Sequence, residues 1–242
     1  MNQKTLWGIV VAVVVILLAL WAWNARTNDS TDDMATTTTP TTTPAAVTDN
    51  SQTGSSQGST VQAQGTLPNG SYTVDATLST IGWTGSKPKV LGYEDTGTID
   101  VESGALAITN GNIVSGEFVI DMESIATAKV SNKKGTTDAL TTHLKSDDFF
   151  AVATYPTSRF VIKNVTNGVV TGELTIKATT KTISFPATIT VDAEGRLVAD
   201  AVVTLNRSLW DIRYGSGSFF DDLGDSLIAD EMKLALHVVA GK

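Results

Sequence analysis

The chain has 242 residues, a formal net charge of −8 at pH 7 and no cysteine. The lack of cysteine excludes disulfide bonds, thiolate catalysis and cysteine-ligated zinc. Acidic residues outnumber basic ones and the two are interspersed, so there is no basic stripe to bind a phosphate backbone, and we expect no nucleic-acid partner.

Residues 1–26 predict a single membrane-spanning anchor helix. The 18 residues from Leu6 to Trp23 carry no charge, and as a helix they span ~27 Å, close to the hydrocarbon thickness of a bilayer. Lys4 before the run and aspartates after it favour a cytoplasmic N-terminus, with the rest of the chain outside, in the periplasm or at the cell surface. The alternatives are a helix packed within the protein and a cleaved signal peptide. Cleavage after Ala25 would need a small residue two positions earlier, where bulky Trp23 stands.

Residues 27–70 predict a disordered linker. The segment is rich in threonine, serine, proline and glycine, as in the run TTTTPTTTPAA. It has too few apolar side chains to offset the entropy lost on ordering. We therefore expect a flexible tether between the membrane helix and a folded domain.

Residues 71–242 predict an all-β domain, because apolar and polar residues alternate with period two. Turns such as Asn110-Gly111, Asn167-Gly168 and Glu194-Gly195 separate the segments, and one short helix is expected from Thr136 to Lys145. About eight strands, each polar on one face, favour an antiparallel barrel or sandwich over a parallel sheet. The positions expected to point inward include Ile120, Ile162, Leu174, Ile176, Ile183, Ile189, Val191, Leu197, Val203, Leu205, Met232, Leu234, Leu236 and Val238.

Several inward positions carry small residues, namely Gly172, Ala178, Ala187, Ala199 and Ala201. Small side chains facing an apolar interior leave room for a ligand. They also occur where a fully packed core tapers. Both interpretations stay open from these residues alone.

Four segments together resemble the YceI-like family. The most specific is THLKSDDFFAVATYPTSRF, from Thr142 to Phe160; the others, in the family's order, are GNIVSGEFVIDMESI (111–125), GELTIKATTKTISFP (172–186) and residues 205–238. They cover nearly all of residues 72–240. Two positions depart from the family's pattern: Ala178 stands where glycine is usual, and Asp95 stands where histidine is common.

The resemblance implies a lipocalin-like antiparallel barrel that binds a polyisoprenoid or similar amphiphilic lipid outside the cytoplasm. The large inward side chains Trp83, Phe118, Met122, Phe160, Phe185 and Trp210 are the candidates for the ligand-binding walls. Arg207 continues the inward parity of Leu205, where it would bind an oxygen of a headgroup or form a salt bridge with Asp211 or Asp230. The sequence leaves open whether the protein is a monomer or a homodimer.

We expect no catalytic residue, metal or cofactor. Two alternative functions remain: a surface adhesion module with a packed core, and a hydrolase that uses adjacent carboxylates such as Asp147-Asp148 or Asp221-Asp222. Carboxylates that are neighbours in sequence rarely converge on one bond. His143 is expected to bond nearby backbone rather than a metal.

Overall fold

The computed structural model describes residues 66–132 and 134–242. The predicted anchor at 1–26, and the predicted linker as far as residue 65, lie outside these residues. Within the described ranges, no helix is both long enough and apolar enough to cross a bilayer. Leu67 is buried and the first strand begins at Gly70, so packing extends a few residues before position 71.

The described residues form one antiparallel sheet that closes into a barrel. Its strands are β1 (Gly70–Val74), β2 (Thr80–Ser86), β3 (Glu94–Thr109), β4 (Asn112–Lys129), β5 (Thr157–Thr166), β6 (Val169–Ile176), β7 (Thr179–Val191), β8 (Leu197–Asn206) and β9 (Glu231–Gly241). Neighbouring strands pair in sequence from β4 to β9, and pairing of β3 with β4 closes the barrel. Both β1 and β2 lie between β3 and β9, so they share one position and the described barrel has eight.

The alternation of apolar and polar residues explains the barrel, and two of its turns have the predicted chemistry. Asn110 and Gly111 both have positive φ angles, as do Asn167 and Gly168. Two consecutive residues in this conformation match the right-handed twist of the strands that they connect. The predicted antiparallel all-β fold with one short helix is therefore confirmed.

The helix, α1 (Thr137–Lys145), begins after Thr136, whose side chain accepts a hydrogen bond from Ala139 N. Leu140 and Leu144, one turn apart, pack against the barrel core. The helix lies at the end of the barrel where β4 stops and β5 starts. We call this the cap end; the segment 207–230, which connects β8 to β9, lies there too. The opposite end, which carries the Asn110-Gly111 and Asn167-Gly168 turns, is called the hairpin end.

Buried side chains form two clusters, one toward each end of the barrel. A cluster that includes Trp210, Ile212 and Phe149 packs at the cap end, and one that includes Tyr72 and Leu197 packs at the hairpin end. All of these residues belong to the described domain, so it contains its own cores.

One inward assignment is corrected. Ala178 lies in the two-residue turn between β6 and β7, and Lys177 before it has a positive φ angle. The alternation was extended past the end of the strand. Val191 pairs with inward-facing Leu197, as the alternation predicts, but it is exposed because it stands at the last position of β7.

Candidate ligand-binding site

A cavity of about 430 Å³ runs through the barrel. Its size is within the range of ligand-binding pockets, ~300–1,000 Å³. Lys87, Tyr93 and Glu231 border it at the cap end, where all three side chains reach solvent. At the hairpin end, Leu197 and Ala240 are among the buried residues that line it. The cavity therefore opens at the cap end and is closed at the hairpin end.

Six of the seven predicted site residues line this cavity. They are Trp83, Phe118, Met122, Phe160, Phe185 and Arg207. The Phe160 ring lies between the other two phenyl rings. Its centroid is 6.4 Å from that of Phe118 and 5.7 Å from that of Phe185. The aromatic side chains thus form a band along the inner wall. Whether a ligand contacts them stays a prediction.

Trp210 lies elsewhere. It is 1% exposed and packs in the cap-end core, and its indole N–H donates to the carbonyl of Leu174 at 3.2 Å. It does not contribute to the cavity wall. The chain leaves β8 at Asn206 and turns into a short 3₁₀ helix, Arg207–Trp210, so the period-two argument that placed Trp210 inside no longer applies there.

The small inward residues divide into two groups. Ala187, Ala199 and Ala201 line the cavity and leave it open along β7 and β8. Gly172 faces inward, but the ring of Phe160 lies over it. The space beside Gly172 is therefore filled by an aromatic ring and does not enlarge the cavity.

Arg207 is buried and binds mainly to backbone. Its guanidinium donates to the carbonyls of Ala229 at 3.0 Å, Ile212 at 3.0 Å and Ile228 at 3.2 Å. Its Nη2 lies 3.6 Å from Oδ1 of Asp230. These contacts hold both ends of the 207–230 segment together at the end of β8. They favour the salt-bridge alternative over a headgroup site. One edge of Arg207 nevertheless borders the cavity.

The electrostatics of this pair follow from burial. Burial lowers the pKa of Arg207, and the charge of Asp230 opposes that effect. Burial raises the pKa of Asp230, but hydrogen bonds from Ser216 and Ser218 and the charge of Arg207 outweigh it, so this pKa lies below its ordinary value. Asp211, the other predicted partner, pairs with Arg213 instead. Oδ1 of Asp230 accepts no hydrogen bond from the described residues, so Arg207 is its compensating charge.

Polar side chains gather at the open end of the cavity. Tyr93 is partly buried, and its burial, with a hydrogen bond to Asp95 and the negative charge of Asp95, raises its pKa to about 12. Asp95 also accepts a hydrogen bond from Ser131 N at 2.7 Å. Lys87 stands over the Tyr93 ring, 5.2 Å from its centroid. In the sequence Asp95 stands out only as a departure from a family pattern, and no motif marks Tyr93 or Lys87.

His143 also borders the cavity. Its Nε2 lies 3.1 Å from Oδ2 of Asp148, and its ring contacts those of Tyr214, at a centroid distance of 4.4 Å, and Phe149, at 5.0 Å. The expected bond to nearby backbone is therefore replaced by a bond to a carboxylate. Within the described ranges, no three histidine or carboxylate side chains are grouped closely enough to hold a metal ion. The paired carboxylates Asp147-Asp148 and Asp221-Asp222 do not line the cavity.

A closed antiparallel barrel around an apolar cavity, open at one end, defines a lipocalin-like fold. The YceI-like domain family matches residues 72–240, and the chain belongs to this family, as its sequence segments indicated. No curated protein matches the chain.

Two solved structures share the fold. The crystal structure of Burkholderia cenocepacia BcnA has 23% identity and a TM-score of 0.53, and the match covers 69% of this chain and 99% of that one. A polyisoprenoid binding domain from Saccharophagus degradans, implicated in plant cell wall breakdown, has 16% identity and a TM-score of 0.54, over 70% of this chain and 97% of that one. Because the matched span makes up nearly all of each solved chain, a barrel of this kind folds without further domains.

Proposed function

We propose that this protein is a membrane-tethered, extracytoplasmic lipid-binding protein that encloses a polyisoprenoid or similar amphiphilic chain in its barrel. The observation that carries the proposal is the apolar cavity, which extends from Tyr93 at the cap end to Leu197 at the hairpin end. A long apolar chain is the ligand that such a shape accommodates, since its walls demand no hydrogen bonds from the ligand along most of their length. The solved relative described as a polyisoprenoid binding domain supports the same class of ligand.

The polar border of the cavity is suited to the polar headgroup of an amphiphilic lipid. Lys87, Tyr93 and Glu231 surround the opening, where the headgroup of a bound chain would remain in contact with water. The apolar tail would extend toward the closed hairpin end. This orientation leaves no charged group of the ligand inside the barrel.

The tether and the location are proposals from the sequence alone. The uncharged run from Leu6 to Trp23 would hold the domain at the membrane from which an isoprenoid lipid is drawn. The linker would let the opening reach the bilayer surface. We propose no catalytic step, because none of the paired carboxylates considered for hydrolysis lines the cavity.

The direct test is to purify residues 66–242 from cells, extract the protein with organic solvent and analyse the extract by mass spectrometry. We expect a prenyl lipid in near-stoichiometric amount. The control is Ala201→Phe, which places a ring in the lumen. An extract without lipid, together with failure of the delipidated protein to take up a polyprenol, would contradict the proposal and favour the adhesion alternative.

A further inference from the structure

Three of the aromatic side chains along the cavity share one arrangement. Each ring lies over a glycine on the neighbouring strand, at a position that faces the lumen. The three ring–glycine pairs are Trp83 with Gly97, Phe118 with Gly104, and Phe160 with Gly172. The first two are direct cross-strand partners, and the third is a diagonal pair.

In each pair the ring occupies part of the space that a side chain on the glycine would fill. The distance from a methyl group placed on the glycine to the nearby ring carbon would be 2.5 Å for Gly97 and Cζ2 of Trp83, 2.9 Å for Gly104 and Cδ1 of Phe118, and 2.6 Å for Gly172 and Cε2 of Phe160. Carbon atoms in contact stand ~3.5–4.0 Å apart. The rings therefore lie against the wall and could not do so over any larger residue.

Trp83 shows the arrangement most clearly. Its ring lies over Gly97 on β3, and its indole N–H donates to the carbonyl of Ala126 on β4 at 3.1 Å. The side chain thus extends along the wall across two strands instead of across the lumen. With the rings set back in this way, the cavity continues past all three of them to Leu106 and Ile113 at the hairpin end.

We propose that Gly97, Gly104 and Gly172 determine the length of chain that the barrel accepts. By holding the rings against the wall, they keep the lumen open for a single apolar chain as far as the hairpin end. A ring displaced into the lumen would close the part of the cavity beyond it and leave the part nearer the opening intact. This inference rests on the proposed function, because it concerns the same cavity.

Gly104→Ala is the most informative variant. Its new methyl group would meet two side chains, at Cγ2 of Val74 (2.7 Å) and the ring of Phe118, and would come no closer than 3.1 Å to the backbone carbonyl of Glu117. Methyl groups at Gly97 and Gly172 would lie much closer to backbone carbonyls, those of Ala126 and Val161, and would disturb the sheet. In Gly104→Ala we expect the Phe118 ring to turn into the lumen.

The experiment measures the affinity of delipidated residues 66–242 for all-trans prenols of increasing length: farnesol, geranylgeraniol and solanesol. We expect Gly104→Ala to bind solanesol about tenfold or more weakly than the unsubstituted protein, because the end of the chain is left in water, and to bind farnesol within about twofold. A second change, Phe118→Leu in the Gly104→Ala background, should restore solanesol binding. A barrel that was merely destabilised would not change its preference with chain length.

The matched control is Gly82→Ala, on β2. Gly82 does not line the cavity, and a methyl group there would meet its nearest neighbours at 3.9 Å, an ordinary contact. If Gly104→Ala fails to fold, Phe118→Trp tests the same point, since the side chain of Val74 already borders the space over Gly104 and we expect the larger indole ring to turn into the lumen.

The outcomes separate this inference from the proposed function. If the unsubstituted protein binds none of the three prenols, the proposed function fails. If it binds them, and either Gly104→Ala or its substitute Phe118→Trp keeps the same affinity ratio between solanesol and farnesol, only the inference about the glycines is overturned. Loss of solanesol binding with recovery in the double variant supports both.

Discussion

Replacing Arg207 by methionine should destabilise the domain and leave the apolar part of the cavity wall unchanged. The change removes donors from three backbone carbonyls and the only cation near Oδ1 of Asp230 among the described residues. Removing one partner of a buried ion pair costs ~3–5 kcal/mol. For a domain of this size, about 1 kcal/mol lowers Tm by ~2–4 °C, so we expect a fall of ~6–20 °C.

Thermal and urea unfolding of residues 66–242 measure this effect, and Arg213→Met is the matched control. Arg213 lies in the same segment and forms an exposed ion pair with Asp211, so its loss should cost less than ~1 kcal/mol. A variant in which Asp230→Asn accompanies Arg207→Met should recover part of the lost stability, because no carboxylate is then left without its partner.

The stability difference should also depend on pH. The folded-state pKa of Asp230 is lowered, so its favourable contribution is present above the unfolded pKa, ~3.9, and is lost as the pH falls through the lower folded value. The difference in free energy of unfolding between the unsubstituted protein and Arg207→Met should therefore be largest at neutral pH and should decrease below about pH 4. An Arg207→Met protein with unchanged Tm and a ten- to hundredfold weaker affinity for lipid, ~1.5–3 kcal/mol, would refute this reasoning and identify Arg207 as a headgroup site.

Three further predictions concern the lumen, the opening and the anchor. Ala201→Phe should abolish lipid uptake with little change in Tm, since Ala201 lies opposite Ala187 beside the cavity. In a packed core the added ring would cost ~1–3 kcal/mol of stability. A large fall in Tm would therefore contradict the presence of space for a ligand. Asp95→Asn should bring the pKa of Tyr93 from about 12 toward ~10, as measured by ultraviolet titration against Tyr93→Phe, and an unchanged value would assign the whole shift to burial. The full-length chain should remain with membranes after a high-salt wash while residues 66–242 are soluble, and a soluble full-length product that starts after residue 25 would indicate a cleaved signal instead.

The fold could be predicted from the sequence because its signals are local. Alternation within each strand, the Asn-Gly turns and the spacing of Leu140 and Leu144 each identify one element without reference to the others. The same alternation placed Phe118, Phe160 and Phe185 on the inner wall. It failed at Ala178 and Trp210, which follow the ends of strands, where side-chain parity no longer determines direction.

The opening of the cavity was harder to predict because its residues come from segments without periodicity. Tyr93, His143 and Tyr214 lie on a hairpin loop, a helix and a long connection, and only the closed barrel brings them to one end. The ring–glycine pairs depend on the register between strands. That register shifts four times between β3 and β4, at irregularities that no local pattern in the sequence marks.

The open lumen has an energetic consequence that favours a resident ligand. A lumen that opens to solvent leaves its apolar walls in contact with water when no ligand is bound, and removing apolar surface from water is favourable by ~25 cal/mol per Å². The buried clusters toward the two ends do not cover this surface, because Ala187, Ala199 and Ala201 leave the middle of the barrel unfilled. An apolar chain in the lumen would supply the contacts that these alanines lack, and the barrel would then be stabilised by the molecule that it is proposed to bind.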